Sequence, residues 1–313
     1  MKDGDTLKHG LGFNNHFHFF HELMPENTQE IGNAKEFIVK LLDLTLTVTN
    51  PFKDKYEAVL QLGKESWPIL NDPALLQFLK EECELRGITP ITHQTDEAHP
   101  LAQGFGDQVC RCLSVSQKVG SPCLIIHLPP HSMNVLKETA QALTLNEILD
   151  SLHQNEVNIA LENATYEEPA PFFGQTRSVT KLLETIVYRL KRFHHEDLEK
   201  RYKICFDYGH FTVNAHHLGL NVEKVKSLFS TANKKIQALH VHINDGKGDQ
   251  HLLLGEYPQN ANLERLKKFE RTYLGELKKL KGEKRIFIIE KGSSFQAQDM
   301  IRCFQILDAA LSA

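Results

Sequence analysis

The stretch Ala238 to Tyr257, ALHVHINDGKGDQHLLLGEY, holds three histidines and two aspartates in a short span. Its first part, Ile236 to Ile243, reads as a buried strand, and alternation along a strand puts His240 and His242 on one face. A turn at Asn244-Asp245-Gly246 follows, then Asp249-Gln250-His251. Histidine at a strand end with Asp and His in the next loop is the donor composition of a metal site. Imidazole and carboxylate without thiolate suit Zn, Mn, Fe or Co. The chemistry then depends on whether other strands deliver further ligands to the same place.

The elements that would position them alternate along the chain. The patterning predicts strands at Gly10 to Phe20, Leu44 to Thr49, Ile88 to Thr92, Pro122 to Ile126, Val157 to Leu161, Tyr202 to Phe206, Ile236 to Ile243 and Arg285 to Ile289. Helix-length segments lie between them. One runs from about Thr28 to Leu42. Another starts at Asp72-Pro73, a capping residue followed by proline, and runs to about Gly87. Further helices are expected over Gly106 to Gly120, Leu143 to Gln154, Ser178 to Lys191, Asn221 to Ser230, Asn262 to Leu280 and Ser294 to Leu311. Lys53 to Pro68 has no clear period.

Strands alternating with helices imply parallel pairing. Eight such units in 313 residues fit one closed (β/α)8 TIM barrel, an α/β fold, as a single domain over 1–313. No glycine-rich phosphate loop follows any strand, which weakens the alternative of an open doubly wound sheet.

The barrel makes a test, because active sites in such folds lie at the C-terminal ends of the strands. His93, His127, Glu162, Asp207, His242 and Glu290 each stand at the end of one of strands three to eight. His210 lies three residues past Asp207, and Asp249 and His251 lie in the loop after strand seven. Nine candidate metal ligands thus point into one mouth. Lys247 and Lys291 follow ligand-bearing strands and, with Tyr257, are expected to reach substrate. His16, His18 and His21 read as packing or surface histidines, and His240 as either an interior histidine or part of the site.

Composition sets the outer bounds. A net charge of −4 argues against a strongly cationic nucleic-acid-binding surface. Six cysteines with no Cys-x-x-Cys pair read as reduced thiols in a cytoplasmic protein. The first residues, MKDGDTLKHG, lack an apolar signal region, and no apolar run approaches membrane length, so no membrane partner is expected. Self-association is left open.

Several motifs carry a family resemblance: LEN at Leu161 to Asn163, FDYGH at Phe206 to His210, HIND at His242 to Asp245, DQHLLLGE at Asp249 to Glu256, and IIE at Ile288 to Glu290. In this order they resemble the xylose isomerase-like TIM barrels, which include sugar isomerases and epimerases and the endonuclease IV family. The likeness covers the second half of the chain best.

For a sugar isomerase or epimerase, the resemblance implies one divalent metal on Glu162, Asp207, His242 and Glu290. The metal would polarise a carbonyl of a small carbohydrate. Glu162 and Glu290 would pass a proton through an enediolate, and His210 would bond a substrate oxygen. For an endonuclease IV relative, it implies that these four join His93, His127, His210, Asp249 and His251 around a zinc cluster that cleaves abasic DNA. Against the second stands the run Gln94-Thr95-Asp96-Glu97, acidic where DNA-wedging residues are expected. Gly255-Glu256-Tyr257 replaces the Gly-x-Gly turn usual in both. The expectation is a metal-dependent isomerase or epimerase of a sugar or sugar phosphate. The alternatives are an abasic-site endonuclease, with DNA as partner, and a non-catalytic metal-bound binding protein.

Overall fold

A computed structural model describes residues 8–14, 31–94, 100, 102–128, 135–163, 176–217, 233–244, 248–257, 263–280, 284–291 and 296–312. Eight parallel strands close in sequence order: β1 (His9–Asn14), β2 (Tyr56–Leu62), β3 (Ile88–His93), β4 (Cys123–His127), β5 (Asn158–Glu162), β6 (Tyr202–Asp207), β7 (Ile236–Val241) and β8 (Ile286–Ile289). Closure is the β1–β8 pairing, with Gly10 opposite Ile286 and Phe13 opposite Ile289. The chain is therefore a (β/α)8 barrel.

Among the described residues the helices are α1 (Ile31–Thr49), α2 (Trp67–Leu70), α3 (Pro73–Arg86), α4 (Phe105–Val119), α5 (Leu136–Ala142), α6 (Asn146–Gln154), α7 (Thr176–Arg192), α8 (Tyr208–His217), α9 (Leu263–Leu277) and α10 (Ala297–Ser312). Helix α3 shows why the local signals are readable. Asp72 Oδ1 accepts from the Ala74 and Leu75 amides at 2.8 and 3.0 Å, Pro73 opens the first turn, and Gly87 at φ 65° ends the helix in the left-handed region. The expected helix over Asn221 to Ser230 lies outside the described residues, as do His16, His18 and His21.

One element is corrected. Leu44 to Thr49, expected as the second strand, is the last third of α1. Its β-branched threonines fit a helix because their hydroxyls donate to carbonyls one turn back: Thr45 to Leu41 at 2.9 Å, Thr47 to Asp43 and Thr49 to Thr45 at 2.8 Å. Leu41, Leu42, Thr45, Val48 and Thr49 are all buried, which is helical spacing. The true second strand falls in the stretch with no clear period.

Alternation along the strands divides the interior in two. Leu60, Leu124, Leu161, Phe206, Leu239 and Phe287 face outward and pack with the helices in one large apolar cluster. Val59, Ile91, Cys123, Ile125, Ala160, Cys205, Ala238, Ile286 and Ile288 face inward and form a separate cluster within the barrel. Two residues beyond this inner layer, each strand presents a polar side chain: Asn14, Gln61, His93, His127, Glu162, Asp207, His240 and Glu290 in β1 to β8 order.

Candidate metal centre

Glu162, Asp207 and Glu290 are buried carboxylates. Uncompensated charge at such depth is costly, so each must face partners. Glu162 Oε2 lies 3.1 Å from His93 Nε2 and 2.9 Å from His127 Nε2. Its other oxygen, Oε1, lies 3.1 Å from His240 Nδ1 and 3.5 Å from His210 Nδ1. One carboxylate thus serves two groups of nitrogens. Asp207 faces His242 Nε2 at 2.9 and 3.0 Å.

A second gathering lies above this layer. Asp249 Oδ2 is 3.1 Å from His210 Nε2 and 2.8 Å from His251 Nε2, and the His242 and His251 rings stack at 4.3 Å. His210, His242, Asp249 and His251 each offer a donor atom within 4.8 Å of the others. So do His93, His127 and Glu162, and so do Asp207, His240 and Glu290. The structure therefore brings all nine sequence-derived ligand candidates together.

Local structure explains the placement. Asp207 ends β6 and caps α8, its Oδ1 accepting from the His210 amide at 2.6 Å, which is why the two stand three apart. Asn163 continues the β5–β6 ladder with its side chain, donating to the Asp207 carbonyl at 2.8 Å and accepting from its amide at 2.9 Å. The Asn163 carbonyl also accepts from His210 Nδ1 at 2.8 Å, leaving His210 Nε2 as the nitrogen that faces Asp249. Asn244 Oδ1 accepts from the Gln250 and His251 amides at 2.7 and 2.9 Å, and its Nδ2 donates to Asp249 Oδ1 at 3.1 Å. His251 is held at φ 48°, a conformation that non-glycine residues rarely adopt and that a tightly bonded loop can impose. Gly209 has a close-approach role: a Cβ there would run into the His242 ring.

Electrostatics follow the geometry. Burial pushes Glu162 up, but the imidazoles of His127 and His240 hold it well below the usual carboxylate range. Asp207 is raised by burial and lowered further by His210 and His242. Burial lowers His210 and His240, yet the carboxylates around them carry both well above an ordinary histidine. Cys205, beside His240, is pushed up to about 12 by burial and stays a thiol. The donor set is thus nitrogen and carboxylate oxygen. Such a set fits a divalent cation, and His242 Nδ1, buried with no hydrogen-bond partner among the described residues, offers one more ligand nitrogen.

The substrate-contact expectations fare differently. Lys291 follows Glu290, so alternation turns it away from the centre, and its ammonium ion-pairs with Glu256. Tyr257 donates its hydroxyl to Glu270 Oε2 at 2.9 Å and packs toward α9. Neither lines the cavity over the centre; Lys247 lies outside the described residues. That cavity, about 160 Å³, is lined instead by Asn14, Gln61, Gly63, Lys64, Glu65 and Gln94 together with His93, His127, His210, Asp249, His251 and Glu290. Sequence reasoning missed Asn14, Gln61 and Lys64. The signal was available in β2, where the inward order Val59, Gln61 leads into the Gly63-Lys64 turn, but it needed the correct second strand.

Solved structures share this architecture. A D-tagatose 3-epimerase-like protein superposes with a TM-score of 0.59 at 19% identity, covering 86% of this chain and 95% of the other. A xylose isomerase domain protein from Alicyclobacillus acidocaldarius gives 0.60 at 11% identity, covering 98% and 99%. The chain has the fold of the xylose isomerase-like TIM barrels. A further barrel of this kind, the IOLI protein with a binding zinc atom, gives 0.57 at 16% identity over 97% and 98% of the two chains. No family model matches the sequence, and no curated protein does. No described helix of this barrel is long and apolar enough to cross a membrane.

Proposed function

We propose that the chain is a metal-dependent enzyme whose mouth holds a cluster of divalent ions and hydrolyses a phosphoester, as in the endonuclease IV reaction. The observation that carries this reading is Glu162, whose two oxygens face separate groups of imidazoles. A carboxylate that faces two groups is placed to hold two ions, and paired ions are a device of phosphoester hydrolases. Charge points the same way. The candidate ligand set carries four carboxylates, Glu162, Asp207, Asp249 and Glu290, and imidazoles that hold a metal are neutral. Three divalent ions would leave it with two positive charges, attractive to a phosphate; one ion would leave two negative charges, repulsive to it.

Divalent ions held by these groups would supply Lewis-acid stabilisation of charge on a phosphoryl group. The chain's own residues do the positioning. Asn163 and Asn244 hold His210 and Asp249, and Gln61 and Asn14 hold Glu290, donating to its Oε1 at 2.9 and 3.4 Å. Lys64 and Glu65 line the cavity beside these groups.

A second reading has its own support. The small cavity suits a sugar, and the neighbours named for epimerase and isomerase chemistry share the fold. In that reading one ion sits among Glu162, Asp207, His242 and Glu290, and the two glutamates exchange a proton with substrate. Metal counting separates the two. Two or three tightly held ions per chain, with nicking of an abasic duplex, is the expected result. One ion per chain, with turnover of a ketose or aldose and no nicking, would replace hydrolysis with isomerisation.

A further inference from the structure

The mouth lies at the C-terminal ends of the strands. At the opposite end, where α6 and α7 finish and the chain turns into β5 and β6, stands a second and smaller gathering of donors. His153 Nε2 lies 3.3 Å from His195 Nδ1, and the two ring centroids are 5.5 Å apart. Asp197 Oδ2 lies 3.5 Å from the other nitrogen of His153, Nδ1. We propose that His153 Nε2 and His195 Nδ1 form a two-nitrogen site for a divalent ion of the zinc class, separate from the mouth, with Asp197 orienting His153 and water completing the coordination.

The backbone on both sides fixes where the two rings stand. α7 closes with the amides of His195 and His194 donating to the Leu190 and Lys191 carbonyls at 2.9 and 3.4 Å. His194 sits between them at φ 62°, the left-handed position that glycine usually fills at a helix end. That reversal brings His195 back toward the end of α6. From the other side, Arg201 Nη2 donates to the Asn155 and Val157 carbonyls at 2.8 and 2.6 Å, tying the turn after α6 to the start of β6. Asp197 lies in the 3-10 turn Glu196–Arg201 that joins His195 to Arg201. The three side chains are thus carried by turns that are bonded to one another.

The spacing suits an ion. Metal–nitrogen bonds of about 2.0–2.1 Å at tetrahedral angles put neighbouring donors roughly 3.3 Å apart. A carboxylate at the far nitrogen of a metal-binding imidazole is the usual support, because it takes the hydrogen there and leaves the near nitrogen to the metal. A hydrogen bond between the two rings would use the same pair of nitrogens, so an ion and that hydrogen compete for one place. Access is open: the His153 side chain is 40% exposed, so a hydrated ion arrives without crossing the barrel. Two imidazoles without thiolate select zinc, nickel or copper over magnesium and calcium, which prefer oxygen.

The test is calorimetric titration of zinc into the full chain after it has been saturated with zinc and desalted, so that any tight ions in the mouth are already in place. The wild type is expected to take one further, weaker zinc and to give no such isotherm with magnesium. His153→Gln and His195→Gln should each weaken that zinc about tenfold or more, and Asp197→Asn about tenfold, with circular dichroism and the tightly held ions unchanged. A wild type that takes no further zinc overturns the proposal. So do folded His153→Gln and His195→Gln proteins that both take the further zinc within about twofold of wild type, since a factor of two is far below the loss of a ligand. The result is independent of the mouth: if the mouth holds no ion, the same titration reads this site alone.

Discussion

The barrel interior contains two layers one step apart on the same strands. The lower layer is apolar: Val59, Ile91, Ile125, Ala160, Cys205, Ala238 and Ile288 pack against one another away from water. The upper one replaces each, two residues on, with Gln61, His93, His127, Glu162, Asp207, His240 and Glu290. Both are largely buried; His127 alone opens substantially to solvent. The lower layer is stabilised by removal of apolar surface from water and by close packing. The upper layer gathers charge that only partners or ions compensate. One pairing geometry thus builds a stable floor and a reactive mouth, and the floor keeps the mouth rigid.

If the two layers divide the labour in this way, perturbing them should have different consequences. The largest expected effect is at the floor's edge. A Cβ at Gly12 would meet the Val59 backbone carbonyl, so Gly12→Ala should cost about 3 kcal/mol or more, measured by urea unfolding. Ile125→Ala, within the apolar layer, should cost about 2–5 kcal/mol while the folded fraction keeps its metal stoichiometry. Loss of metal at equal fold would break the division between the layers.

Stripping metal with a chelator acts on the mouth alone. It should remove all activity and, for each ion present at a hundredfold excess over its Kd, about 2.7 kcal/mol of stability, seen as a fall in Tm at unchanged circular dichroism. Asp249→Asn should weaken the ion of the His210–His242–His251 group about 10- to 100-fold, which is roughly 1.4 to 2.7 kcal/mol of binding. Elemental analysis checks it: an unchanged metal count would point to the one-ion reading. The smallest effect belongs outside both layers. Lys55→Ala removes an exposed pair with Asp308 at 2.9 Å and should shift stability by under about 1 kcal/mol.

The site was legible in sequence to the extent that its signals were local. His93, His127, Glu162, Asp207 and Glu290 each terminate a short apolar run, and the run's length fixes which residue comes last. Thr45, Thr47 and Thr49 show where local reading fails. Their alternation suits a strand, yet burial at helical spacing and hydroxyl bonds one turn back make them helical. That displaced β2 by about ten residues and hid Gln61. Lys291 stands apart from the centre for a related reason: proximity in sequence to Glu290 does not survive the alternation that turns successive side chains to opposite faces.

The sequence by itself determined that strands and helices alternate eight times and that acidic and imidazole groups stand at the strand ends, because period, capping and punctuation act over a few residues. Only the tertiary structure decided which donors meet. Gln61 and Glu290 are 229 residues apart and touch only because β1 closes on β8 with β2 beside it. The same closure sets His240 among three carboxylates and places His242 between Asp207 and His251, contacts that no local pattern contains.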